Sequence, residues 1–229
     1  MSNRRTVFLL LAVTFWGGMV GAAEVASHWS EDPDRAWAGA AYWTNPWQDW
    51  RVRNGRLECI GGGTHGKWDR NVQLLTYQAT PESTVTMEVT VGKAAGDVRG
   101  WAGFRFGCRD GIDDYRHSCV WGAGLDAGLQ ADGTLFVNET RTGASFEDSA
   151  RLRLTLTPSE EGHVAVLELL ASDGAVSAQV RETVPSEKVA GNLALVAHHP
   201  KKERRPLYWF SDWQIRGADL AGGPEQNWG

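Results

Sequence analysis

Apolar and polar residues alternate with a period of two along most of this chain. The clearest run is 101–108, where Trp101, Gly103, Arg105 and Gly107 interleave with Ala102, Phe104, Phe106 and Cys108. That period predicts a strand with Phe104 on a core face and Trp101 and Arg105 on a polar-aromatic face. An acidic turn follows (Asp110, Gly111, Ile112, Asp113, Asp114), then a second strand over about Tyr115–Trp121. A third strand starts after Gly122 and Gly124, and Asp132-Gly133 turns it into a fourth. Upstream, Trp50-Arg51-Val52-Arg53-Asn54-Gly55-Arg56-Leu57-Glu58-Cys59 predicts a hairpin on an Asn-Gly type I′ turn. Its register sets Val52 opposite Leu57, Trp50 opposite Cys59 and Arg51 opposite Glu58, so apolar meets apolar and plus meets minus.

Similar alternation predicts strands over 72–76, 83–91, 151–156, 163–170, 176–183, 193–197 and 209–216. About a dozen short strands separated by turn residues, with no convincing helix past the N-terminal segment, predict an all-β, two-sheet antiparallel sandwich or jelly roll. The sandwich is expected over 49–219. Residues 24–48 read as an irregular, Trp-rich lead broken by Asp32-Pro33 and Asn45-Pro46, and 220–229 has the composition of a linker.

Residues 1–23 have the form of a cleaved signal peptide: Arg4 and Arg5, an apolar run from Val7 to Phe15, and small residues at 20–23. The apolar run falls short of the roughly 20 residues that an anchoring helix needs. An exported protein, periplasmic or extracellular and without a membrane anchor in its mature chain, is expected. Loss of Arg4 and Arg5 takes the net charge from -5 to -7. That balance argues against nucleic acid as a partner, since such binding depends on neutralising phosphates.

The three cysteines, Cys59, Cys108 and Cys119, lack the paired spacing of a zinc site. If 101–108 and 115–121 pair as a hairpin, Cys108 and Cys119 come opposite each other, so a Cys108–Cys119 disulfide is expected, with Cys59 left as a buried thiol. Twelve tryptophans are present, five of them (Trp29, Trp37, Trp43, Trp47, Trp50) within 22 residues. Indole rings serve either as core or as platforms for sugar rings.

Three segments, WRVRNGRLECIGGG with DRNVQLLT, GWAGFRFG with DDYRHS and GLDAGLQADGTLFV, and WFSDWQIRG, resemble concanavalin A-like, laminin G-type jelly-roll domains of exported bacterial proteins. The nearest likeness is to the non-catalytic domain that precedes the metallophosphatase domain in alkaline phosphatase D-type proteins. A looser one is to the 3-keto-disaccharide hydrolase type. The resemblance spans about 45–217 and implies a jelly roll whose concave face takes glycans, with a metallophosphatase domain as a further partner. It carries over no active site.

Candidate chemistry is sparse. Retaining glycoside hydrolysis needs two carboxyls about 5 Å apart, and no E-x-D-x-E run supplies them. Glu160-Glu161 and Glu147-Asp148 are adjacent pairs, which point to opposite faces of a strand or lie in turns. No Gly-rich phosphate cradle and no G-x-S-x-G elbow occurs. Asp110, Asp113 and Asp114 are candidate calcium ligands in a turn, calcium being the only cofactor considered. His198-His199 followed by Lys201, Lys202, Arg204 and Arg205 make a local basic patch in an acidic chain. The expected function is a non-catalytic, lectin-like carbohydrate-binding domain. Its ligand face would carry Trp101, Arg105, Tyr115, Arg116 and Asp126. A glycoside-active enzyme of glucanase or 3-keto-disaccharide hydrolase type, and a structural module packed on a phosphatase, are the alternatives.

Overall fold

The Asn-Gly hairpin forms as its chemistry dictates. Both Asn54 (φ 52°) and Gly55 (φ 72°) are left-handed, as a type I′ turn requires. Val52 faces Leu57, Trp50 faces Cys59 and Arg51 faces Glu58. The computed structural model describes residues 23–63, 69–108 and 116–222. The strands in chain order are β1 (Ala23–Ala26), β2 (Tyr42–Asn45), β3 (Trp50–Arg53), β4 (Arg56–Cys59), β5 (Arg70–Ala79), β6 (Thr84–Lys93) and β7 (Trp101–Cys108). One short helix, α1 (Arg116–Val120), follows. Then come β8 (Leu125–Gln130), β9 (Thr134–Val137), β10 (Thr140–Gly143), β11 (Ser149–Ser159), β12 (Gly162–Leu170) and β13 (Val176–Val184). The last are β14 (Gly191–His198), β15 (Tyr208–Ala218) and β16 (Ala221–Gly222).

Two antiparallel sheets stack face to face. The first has the order β13-β12-β11-β6-β15-β4-β3, with β1 also on β15. The second has the order β10-β9-β8-β7-β14-β5-β16, with β2 also on β5. Between them lies one apolar core that takes the inward set of every long strand: Val85, Met87, Val89 and Val91 from β6, Leu152, Leu154 and Leu156 from β11, Ala102, Phe104 and Phe106 from β7. The expected all-β two-sheet jelly roll is therefore what the chain forms.

The structure corrects three expectations. Residues 24–48 are not an irregular lead: they give one strand to each sheet, β1 pairing with β15 and β2 with β5. Trp29, 1% exposed, packs against both Tyr42 and Trp213 (centroids at 5.4 and 6.3 Å) and donates its indole N–H to the Ala38 carbonyl at 2.9 Å. Second, the described part of the strand expected over Tyr115–Trp121 is not a strand, because residues 116–120 wind into α1. Third, with Cys119 on a helix and not on a strand facing β7, Cys108 and Cys119 do not form the expected disulfide; Cys59, Cys108 and Cys119 are all buried free thiols. In the tail, Ala221 and Gly222 pair with Gln78 and Tyr77. Residues 1–22 of the expected signal peptide (1–23), residues 223–229 and the acidic turn carrying Asp110, Asp113 and Asp114 lie outside the described residues, as does Tyr115. Among the described residues no helix is long and apolar enough to cross a membrane.

Candidate ligand face

The two outer faces of the sandwich differ in character. On the first sheet, opposite charges pair across strands: Arg151 with Glu88 (2.6 Å), Arg153 with Glu168 (2.7 Å) and Arg51 with Glu58 (2.7 Å). Such rows keep a solvated face soluble and contribute little individually. On the second sheet the outward positions are aromatic, small or amide-bearing, and they surround a buried ionic cluster.

Strand register builds that cluster. Phe104 and Phe106 point inward, so Arg105 points outward, and β7–β8 pairing sets Asp126 opposite it. Arg105 holds Asp126 through two bonds, Nε to Oδ1 at 2.6 Å and Nη2 to Oδ2 at 2.8 Å. Nη2 also reaches Asp69 Oδ2 at 2.6 Å. Nη1 donates to the Ser118 carbonyl and, at 3.4 Å, to its hydroxyl. The other oxygen of Asp69 lies 2.6 Å from His198 Nδ1. The five guanidinium N–H groups thus meet five acceptors. Arg105 is only 1% exposed. It was expected to touch ligand; instead it is consumed in tying the 69–70 corner, β7, β8 and α1 together.

Two carboxylates share this one guanidinium, and their titrations are driven apart. Burial alone would raise the Asp69 carboxyl, but the His198 hydrogen bond and the Arg105 charge outweigh it and hold it below the usual range. At Asp126 burial outweighs the charge and hydrogen bonds of Arg105, so its carboxyl sits above that range.

Trp101 lies beside this cluster. It pairs with Gln130 on β8 and His198 on β14. Gly103 and Gly128 face each other beside it, so no side chain rises from the sheet there. A Cβ on Gly128 would fall 3.0 Å from Trp101 Cε3 and 2.7 Å from the Ala102 carbonyl oxygen. The indole is near-parallel to the His198 ring (19°, centroids at 6.4 Å) and edge-on to Phe136 (89°, 5.2 Å). It remains partly exposed, as a stacking platform must be.

Further across the sheet, the inward set Val72, Leu74, Leu193 and Leu195 turns Asn71, Gln73 and Asn192 outward. Exposed Trp43 stands opposite Gln73. Of the predicted ligand set, the structure brings Trp101, Arg105 and Asp126 together, and Arg116 sits exposed at the start of α1. Asp69, His198 and the amides were missed by the sequence reading. The alternation of Leu193, Leu195 and Ala197 continues to an outward His198, so the signal was present but hidden in what read as a basic loop.

No family model and no curated protein matches this chain. Solved structures do. Lectin I-B4 from Griffonia simplicifolia matches with a TM-score of 0.55 and 11% identity, over 86% of this chain and 99% of that chain. Winged bean acidic lectin, solved with methyl-α-D-galactose, matches with a TM-score of 0.57 and 9% identity, over 88% of this chain and 100% of that chain. The fold is that of the legume lectins. Arcelin-5, a lectin-like defense protein from Phaseolus vulgaris, also matches, with a TM-score of 0.55 and 8% identity, over 86% of this chain and 98% of that chain.

Proposed function

We propose that this protein is an exported, non-catalytic carbohydrate-binding domain that holds a glycan on the outer face of its second sheet. The observation that carries the reading is the Trp101 platform: a partly exposed indole packed close over Gly128, with His198 and Gln130 beside it. A sugar presents an apolar C–H face and a rim of hydroxyls. An indole flanked by hydrogen-bonding side chains matches both. The lectin fold, and the bound galactoside of winged bean acidic lectin, support the same reading. The buried Arg105 cluster serves as scaffold, setting the strands that present Trp101 and His198.

A glycan array probed with the purified protein tests this. The expected result is retention of at least one glycan class, lost in Trp101→Ala while the melting temperature stays within a few degrees. A protein that retains no glycan on the array, or one that Trp101→Ala leaves fully binding, refutes the reading. Attachment to a metallophosphatase would follow if the protein co-purified with such an enzyme from its native host.

A further inference from the structure

His198 closes β14 with one ring nitrogen committed and the other open. Nδ1 lies 2.6 Å from Asp69 Oδ1. The second oxygen of Asp69 accepts from Arg105 Nη2 at 2.6 Å. Among the described residues nothing bonds His198 Nε2, and that nitrogen is not one of the buried atoms left without a partner. The His198 side chain is 21% exposed. Since Nδ1 faces the buried Asp69, the exposed edge of the ring is the one that carries Nε2. That edge lies beside the Trp101 platform, to which the imidazole is near-parallel.

The charges around Asp69 decide where the imidazole proton sits. Arg105 only donates, so it leaves both Asp69 oxygens as acceptors. The Asp69 carboxyl is held below the usual carboxylate range, so at neutral pH it is ionised and has no hydrogen to offer Nδ1. In neutral His198 the hydrogen therefore belongs on Nδ1, and Nε2 keeps its lone pair. The rim of the platform then presents an acceptor.

We infer that Asp69 is a positioning residue for the glycan: it fixes neutral His198 as the Nδ1–H tautomer, so that Nε2 accepts a hydrogen bond from a hydroxyl of the sugar stacked on Trp101. This rests on the carbohydrate reading above and adds the direction of one bond. The same geometry fixes what Asp69→Asn does. An amide at this position must turn its oxygen to Arg105, because a guanidinium cannot accept, and so it turns its N–H to His198. Nδ1 then accepts, the imidazole hydrogen moves to Nε2, and the acceptor becomes a donor with little change of shape.

Protein labelled with ¹⁵N in its histidines, held at about pH 8, well above the ordinary histidine value of about 6.5, tests this by imidazole NMR, which separates the two neutral tautomers and the imidazolium. In wild type the unprotonated nitrogen of His198 should be Nε2, and in Asp69→Asn it should be Nδ1. The opposite tautomer in wild type, an imidazolium there, or a tautomer that Asp69→Asn leaves unchanged overturns the inference. Methyl α-D-galactoside, methyl α-D-glucoside and every glycan retained on the array are then titrated in. A bound glycan should shift the Nε2 resonance. Its analogues with one hydroxyl replaced by fluorine give the direction of the bond, because fluorine cannot donate. At the contacted position fluorine meets a lone pair in wild type and an N–H in Asp69→Asn. It should weaken wild-type binding roughly three- to tenfold and the binding of the variant less. Equal losses in the two proteins remove Asp69 from the account of binding. If Asp69→Asn fails to fold, the wild-type tautomer and the Nε2 shift decide alone. Binding that Trp101→Ala abolishes but that leaves Nε2 unmoved sinks this inference while the carbohydrate reading stands. Silence from both glycosides and from the whole array removes the carbohydrate reading, and this inference with it.

Discussion

Replacing Arg105 by methionine would leave buried Asp69 and half-buried Asp126 without their shared counter-charge. Removing one partner of a buried ion network costs about 3–5 kcal/mol. Arg105→Met should lose that much in urea denaturation, and a loss below about 1 kcal/mol would show that water reaches the cluster. Asp69 adds a pH dependence of fixed sign. Its carboxyl is held below the ordinary value of 3.8. It therefore contributes stability above that pH, and the contribution is lost as the pH falls through the folded-state value. Wild type should lose stability on acidification below about pH 4 more steeply than Asp69→Asn. Equal slopes would remove the ion network from the account of acid stability. The thiols are testable at the same scale. Burial pushes Cys59 up to about 12 and Cys108 and Cys119 up to about 11. A thiol reagent at neutral pH should label none of the three in the native protein and all three in denaturant. Two missing thiols in denaturant would restore the disulfide that the structure lacks.

At the scale of elements, what was legible depended on how local the cause was. The β3–β4 hairpin could be read to the residue, because Asn-Gly fixes the turn and the turn fixes the register. The two faces of β7 could be read from alternation, which placed Phe104 inside and Trp101 outside. Phe104→Ala should therefore cost about 3–5 kcal/mol, and Trp101→Ala much less, in the same urea titration; the reverse order would mean that the faces are exchanged. The helix α1 was missed because YRHSCVW carries an alternation of its own and five residues give no helical period to set against it. Asp69 and His198 were missed because each acts through a partner distant in sequence, 36 residues away for Asp69 to Arg105 and 129 for His198 to Asp69. Residue type points to such a cluster only once the strand order β5-β14-β7-β8 is known. The five clustered tryptophans divide for the same reason. Trp29 and Trp50 are core, while Trp37, Trp43 and Trp47 are exposed, and spacing alone does not separate the two sets.

Across the whole molecule, the segment that read as a lead closes the sandwich. β15 is paired along one edge by β6, and its other edge is shared between β4, at Tyr208–Phe210, and β1, at Gln214–Gly217. β5 is divided in the same way, between β2 at Asn71–Leu74 and β16 at Tyr77–Gln78. Without residues 23–48, β15 in the first sheet and β5 in the second would each expose unpaired backbone, β5 in the sheet that carries the ligand face, and the Trp29–Tyr42–Trp213 cluster would lose two of its three rings. A protein beginning at residue 49 should therefore aggregate or unfold, although it retains every strand expected from the sequence. Trp29→Ala in the full chain isolates the packing part of that loss. Trp29 is 1% exposed, and truncating a large buried aromatic costs about 3–5 kcal/mol. The midpoint of urea unfolding should fall accordingly, with an unchanged slope, because the surface exposed on unfolding hardly changes. A chain starting at residue 49 that melts within a few degrees of the full protein would show that β1 and β2 are appended to a sandwich already complete. The backbone pairing on β5 and β15 argues the opposite: each sheet takes one of its own strands from this segment.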